Sequence, residues 1–258
     1  MPPCHGGGRG FKSRLGRIRL FRSRLTPPSI ATALDGQATV RTPPTLVLAA
    51  HGTVSAAGHR DLVAIVRNLH RLRPEQAVEL GFVDVLLPRV EDVLESLRRP
   101  AVLVPALLST GYHVSADIPR AVRRRNEALI SRHLGPDPLL TRALVDALAV
   151  ARGSAAPGPV ALVATGSSDP AAQADVEAAA ADLAAALGVP VRATSLADPA
   201  LHLRGVEVAT YLLAEGRMRD SIAARAAEDG ATVVSAPIGP HPAVAELILE
   251  RFDQALRT

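Results

Sequence analysis

TLVLAAHG (45–52) sets six apolar or β-branched residues in a row and then breaks at a histidine and a glycine. A run that short, without helical spacing, fits a strand buried on both faces, as in a parallel sheet. Reading outward, VELGFVDV (78–85) and AVLVPAL (101–107) repeat the pattern. The stretches 59–72, 89–98 and 117–131 carry apolar residues at helical spacing. The order βαβα predicts a parallel sheet whose right-handed crossovers place helices on both faces.

The same order returns after GSAAPGP (153–159), with PVALVAT (159–165), VRATSL (191–196) and TVVSAPI (232–238) as strands. Leu134-Gly135-Pro136-Asp137-Pro138 reappears as Ile238-Gly239-Pro240-His241-Pro242, and His51-Gly52 stands where Thr165-Gly166 stands. STGYHVSADIP (109–119) has a counterpart in LAEGRMRDSI (213–222), one residue shorter. A duplicated unit accounts for all of these coincidences. The expected organisation is a tail and linker at 1–44, a first lobe at 45–152 and a second at 153–258.

Composition narrows the function classes. The chain has 258 residues, 48% hydrophobic but only 2% aromatic, without Trp, so its core is aliphatic. Every apolar stretch is broken by Arg, Asp, Glu or Pro well short of the ~20 residues of a membrane span, which predicts a soluble protein. Cys4 is the single cysteine, which suits a reducing cytoplasm and excludes a thiolate metal cluster. The net charge of +4 is concentrated at the start: residues 1–44 hold eight basic groups against Asp35, leaving the remainder near −3. A basic tail on a mildly acidic body argues against a nucleic-acid surface. The tail reads as disordered; a targeting peptide lacks its apolar stretch and cleavage site, and a start codon set too early is a further reading. Pro27, Pro28, Pro43 and Pro44 bracket a linker, so ordered structure is expected from Thr45.

In doubly wound sheets ligands bind beyond the carboxyl ends of the strands. His51 ends the first strand, Asp84 the second, and His113 follows the third. Each has a plainer reading: a capping hydrogen-bonder for the histidines, a helix cap or solvated turn for Asp84. Placed together, two imidazoles and a carboxylate form a ligand set for Fe²⁺, Co²⁺, Ni²⁺ or Zn²⁺ with open positions left. Imidazole also takes a proton near neutral pH. The other histidines are weaker candidates: His59, His70 and His133 on expected helices, His202 and His241 near helix starts, His5 in the tail.

With LVLAAHGT, GFVDVLLP and LLSTGYHVSADIP in that order, the chain resembles the sirohydrochlorin chelatase and anaerobic cobalt chelatase family of class II tetrapyrrole chelatases. The resemblance covers nearly everything after residue 44. It implies a flavodoxin-like two-lobed α/β fold, no ATP requirement, no permanently bound cofactor, and insertion of a divalent metal, Fe²⁺ or next Co²⁺, into sirohydrochlorin. It makes His51 and His113 the catalytic histidines and places Asp84 where a metal-binding glutamate is usual, one methylene shorter. In the second half Thr165 replaces His51, and Arg217-Met218 replace Tyr112-His113, so that half has lost a metal site. Tyr112, with Arg204, Arg217 and Arg219 as forks for the ring's carboxylates, is the expected substrate-binding set; a solvated helix face is the plainer reading of the arginines. A duplicated chain supplies both lobes and is expected to be a monomer.

Two other classes compete. A histidine phosphatase also has a histidine after its first strand and before glycine, but wants an arginine immediately before it, where this chain has Ala50. A metal or tetrapyrrole carrier would use the same cleft without turnover. Neither a Rossmann glycine fingerprint nor a P-loop lysine supports a nucleotide cofactor.

Overall fold

Alternate residues of the first strand, β1 (Thr45–Ala50), face opposite ways, as the two-residue period of a strand requires. Leu46, Leu48 and Ala50 join one apolar cluster, and Val47 and Ala49 join another. The protein, seen here as a computed structural model, is described over residues 43–84, 86–111, 118–123 and 128–258. Residues 1–42 of the expected tail lie outside them.

From β1 the chain runs through α1 (Ala56–Leu72), β2 (Val78–Phe82), α2 (Val90–Ser96), β3 (Ala101–Ala106), α3 (Ile118–Arg123), β4 (Ala128–Ile130) and α4 (Pro138–Arg152). The repeat follows with β5 (Val160–Ala164), α5 (Pro170–Leu187), β6 (Val191–Ser195), β7 (Glu207–Thr210), α6 (Arg217–Asp229), β8 (Val233–Val234) and α7 (Pro242–Ala255). Two all-parallel sheets result, ordered β2-β1-β3-β4 and β6-β5-β7-β8. The α/β architecture of two duplicated lobes is therefore as the repeats predict. Both LGPDP and IGPHP open a helix: Asp137 and His241 are the N-caps of α4 and α7, each with proline just inside.

Three elements differ from expectation. The segment 117–131 is not one helix, because Ala128–Ile130 pair with Ala101–Leu103 and extend the sheet by an edge strand. The strand expected at 232–238 contracts to two residues. The place beside β5 belongs to β7, which the apolar pattern passed over because it begins with Glu207. His133 accordingly lies in the loop before α4 rather than on a helix, and His202 lies between β6 and β7 rather than at a helix start.

The lobes exchange their last helices. α4, which follows the first sheet, packs on α5, β7 and β8, whereas α7, which follows the second, packs on α1 and β3. The facing sides of both sheets thus share one continuous core, from Leu46 and Leu48 through Leu140, Leu144 and Ile248 to Leu162. Smaller clusters close the outer faces, under α2 and α3 on one side and α6 on the other. Among the described residues no helix is long and apolar enough to cross a membrane.

Candidate functional site

The carboxyl ends of β1 and β2 lie side by side, with Ala50 in register with Phe82 and the Val83 N–H donating to the Ala50 carbonyl at 2.9 Å. His51 and Asp84 are therefore neighbours along one sheet edge, and both side chains are exposed. Gly52 seats the two loops on each other. Its φ is +92°, and a Cβ there would lie 2.9 Å from the Asp84 carbonyl oxygen and 3.3 Å from the Phe82 ring; only glycine fits both demands. The Leu86 N–H turns back to the Asp84 carbonyl at 2.7 Å. Val54 and Leu87, in the loops after β1 and β2, are 74% and 76% exposed. They give this polar edge an apolar rim.

Tyr112 and His113 lie outside the described residues. Among the described residues no group of three or more His, Cys, Asp or Glu could hold a metal. The segment that leads from β3 toward His113 is anchored at several points. The Leu134 N–H donates to the Leu107 carbonyl at 2.9 Å, and the buried Tyr211 phenol donates to the Leu108 carbonyl at 3.1 Å. Burial pushes the Tyr211 hydroxyl well above its ordinary pKa, so it remains a donor. The Thr110 N–H and hydroxyl both donate to Asp175 Oδ2, at 2.7 and 2.8 Å.

Of the expected carboxylate forks, Arg217 opens α6 and is exposed. The Arg219 guanidinium lies 3.4 Å from Glu215, its buried Nε having no hydrogen-bond partner among the described residues. Both flank Glu215, whose carbonyl accepts from the Thr53 hydroxyl at 3.3 Å and whose N–H donates to Asp61 at 2.8 Å. The second lobe's loop is thereby held against the segment that follows His51. Arg204 lies apart from the other two. It precedes β7, at the amino end of the strand, where the Gly205 N–H donates to the Gly230 carbonyl; a parallel strand separates that end from the edge bearing Arg217 and Arg219.

At the corresponding edge of the second lobe, a cleft of about 270 Å³ is lined by Thr165, Ser167, Thr194, Ser195 and Asp198 among others, with Ser109 contributed from the first lobe. Ser195 pairs with Ala164 as Phe82 pairs with Ala50, so Ala197 holds the place of Asp84 as Thr165 holds that of His51. The two positions that carry the imidazole and carboxylate in the first lobe thus carry a hydroxyl and a methyl group here, and the carboxylate of this cleft, Asp198, comes from the next position along.

Sequence reasoning passed over Asp61 and Asp175, set His133 among the weaker candidates, and gave Thr110 no role although it lies in the STGYHVSADIP segment; all four join the lobes near the site. His133 Nε2 lies 3.2 Å from Asp175 Oδ2. Burial, with help from Arg132 and Arg251, lowers its pKa below the ordinary value although Asp175 pulls the other way. The imidazole is therefore neutral at pH 7 and carries its proton on the nitrogen facing Asp175. One signal was available: Asp61 and Asp175 each sit six residues after a helix cap, Ser55 and Asp169.

Solved structures share this fold. SirB from Bacillus subtilis with Fe³⁺ is 20% identical with a TM-score of 0.68, over 83% of this chain and 96% of that one. The sirohydrochlorin chelatase SirB from Bacillus subtilis subspecies spizizenii, in complex with cobalt, is 20% identical with a TM-score of 0.68, over 84% and 96%. CbiX, described as the terminal enzyme for biosynthesis of siroheme in denitrifying bacteria, is 19% identical with a TM-score of 0.63, over 82% and 99%. No curated protein matches the chain. The fold is thus the two-lobed α/β fold of the chelatases. The CbiX family's model matches residues 45–151 and again 159–255; the chain belongs to the CbiX family.

Proposed function

We propose that the protein is a metal-ion chelatase that inserts a divalent metal into sirohydrochlorin, with Fe²⁺ as the favoured metal and Co²⁺ next. The observation that carries the reading is the apposition of His51 and Asp84 on an exposed strand-end edge of a chain that matches the CbiX family in both halves. In this reading residues 45–152 hold the chemistry, and residues 153–258 close the cleft and bind the ring. The metal is substrate, not resident cofactor. Asp84 and the two imidazoles receive it as it sheds water, and His51 and His113 take the two pyrrole N–H protons that leave as it enters the macrocycle. Val54 and Leu87 offer apolar surface to the flat ring. Tyr112 lies beside His113 in sequence, and Arg217 and Arg219 are suited to the ring's carboxylates. The reading places the protein in the cytoplasm, working as a monomer without ATP.

The test is anaerobic incubation of the protein with sirohydrochlorin and Fe²⁺, Co²⁺ or Ni²⁺ in turn, followed by absorbance. Catalysed conversion of the metal-free spectrum to that of the metallated ring is expected. Ring or metal binding without conversion above the uncatalysed rate would leave a carrier, and binding of neither would end the reading.

A further inference from the structure

The lobes hold each other by a reciprocal pair of bonds. Asp61 on α1 accepts the N–H of Glu215 at 2.8 Å, and Asp175 on α5 accepts the N–H of Thr110 at 2.7 Å. The pair follows the duplication: each aspartate lies six residues after its helix cap, and each amide immediately precedes a glycine, Gly216 or Gly111, in the segment after the third strand of its half. The two copies then diverge. Asp61 accepts one hydrogen bond from the loop, whereas three donors converge on the single oxygen Asp175 Oδ2: the Thr110 N–H, the Thr110 hydroxyl and His133 Nε2 at 3.2 Å. The elaborated copy secures the loop that follows β3, in the half with the strand-end histidines, and the plain copy secures the loop that leads into α6 at Arg217.

We propose that Asp175, a residue of the half without the strand-end histidines, is a positioning residue that holds Thr110, and with it the start of the first half's strand-end loop, for the proposed reaction. Its carboxylate holds the Thr110 N–H and hydroxyl, and neutral His133 donates to the same carboxylate oxygen. A charged acceptor gathering three donors makes short, strong bonds in a partly buried place, and a displacement of about 1 Å in a reacting group can lower a rate by roughly 10²-fold. Asp175 acts through Thr110 and not on substrate. The second half therefore shapes the chemistry of the first as well as covering it. This inference rests on the chelatase reading for its kinetic consequence, but not for its structural one.

The test compares Asp175→Ala with Asp61→Ala in the full chain, adding Asp175→Asn, which keeps one acceptor oxygen. Amide hydrogen exchange is measured first, because it needs no activity. Asp175→Ala should speed exchange of Thr110 by at least about 10-fold while Glu215 is unchanged, and Asp61→Ala should do the reverse; no change at Thr110 would overturn the proposal. Insertion kinetics follow. Asp175→Ala should lower kcat by about 10-fold or more with KM within twofold, Asp175→Asn should recover part of the loss, and Asp61→Ala should leave kcat within twofold. Equal losses of kcat in both alanine variants, or loss of thermal stability alone, would show a plain tie between lobes. If the wild-type protein inserts no metal, it is the chelatase reading that fails, and the exchange result still decides whether Asp175 orders the loop.

Discussion

Arg152, the last residue of the exchanged helix α4, is the most stringent test of the two-lobe packing. Its Nε and Nη2 donate to the two oxygens of Glu207, at 2.8 and 2.6 Å, and the Gly158 N–H adds a third bond at 3.0 Å. The side chains are only 7% and 5% exposed, so the pair is effectively inside. Arg152→Met keeps the volume but strands a buried carboxylate, which costs about 3–5 kcal/mol. At roughly 2–4 °C per kcal/mol for a folded part of this size, the melting temperature should fall by about 6–20 °C. Arg152→Met with Glu207→Leu removes both charges and should regain most of that loss. The Arg152 hydrogen bond, aided by the Gly158 N–H, holds the Glu207 carboxyl below its ordinary pKa. A carboxyl depressed in the folded state contributes stability above its unfolded pKa, about 4.3, and that contribution disappears as pH falls through the folded value. Arg152, shifted upward by the same bond, stays charged throughout. The wild type should therefore lose stability more steeply than the double variant below about pH 4. Thermal melts from pH 3 to 8 measure both effects. A drop under about 3 °C in Arg152→Met at pH 7, or a double variant no better than the single, would refute the reasoning.

Other outcomes can be checked in the same preparations. His51→Ala and His113→Ala should each lower insertion by about 10²-fold or more while remaining folded, and the double variant should be little worse than either, as for groups that act as a unit; near wild-type turnover in a folded single variant removes that residue from the mechanism. Gly52→Ala, with φ at +92° and a Cβ pressed on the Asp84 carbonyl, should cost about 1–3 kcal/mol in denaturant melts and slow insertion. Thr165→Ala should leave insertion nearly unchanged; its abolition in a folded protein would move the site to the second lobe. Deleting residues 1–43 should leave turnover intact, measured against the full chain at equal concentration.

The buried strands were legible because Leu46 to Ala50 and Val160 to Ala164 are apolar on both faces, which few structures other than a covered parallel sheet permit. The pairing of His51 with Thr165 was legible from spacing alone, and the sheet registers reproduce it. β7 was hidden by Glu207, whose charge is acceptable only because Arg152 arrives from a distant helix. β4 was absorbed into a helix because three residues are too few to separate a period of 2 from one of 3.6. The exchange of α4 and α7 was invisible because both sheets offer similar aliphatic faces, and an amphipathic helix does not record which it will meet. The bonds of Asp61 and Asp175 were missed for a related reason: a single carboxylate on a helix face looks solvated until the other lobe is present.

The crossing of α4 and α7 also changes what a break in the backbone would mean. Residues 153–157, between α4 and β5, are all exposed, so this connector is the natural place for a protease to cut. A chain severed there does not yield two free lobes. Each fragment keeps a sheet whose inner face is dry only under the other fragment's helix, and each carries the helix its neighbour lacks. The severed protein is thus a heterodimer already docked, and its halves separate only by exposing that core to water.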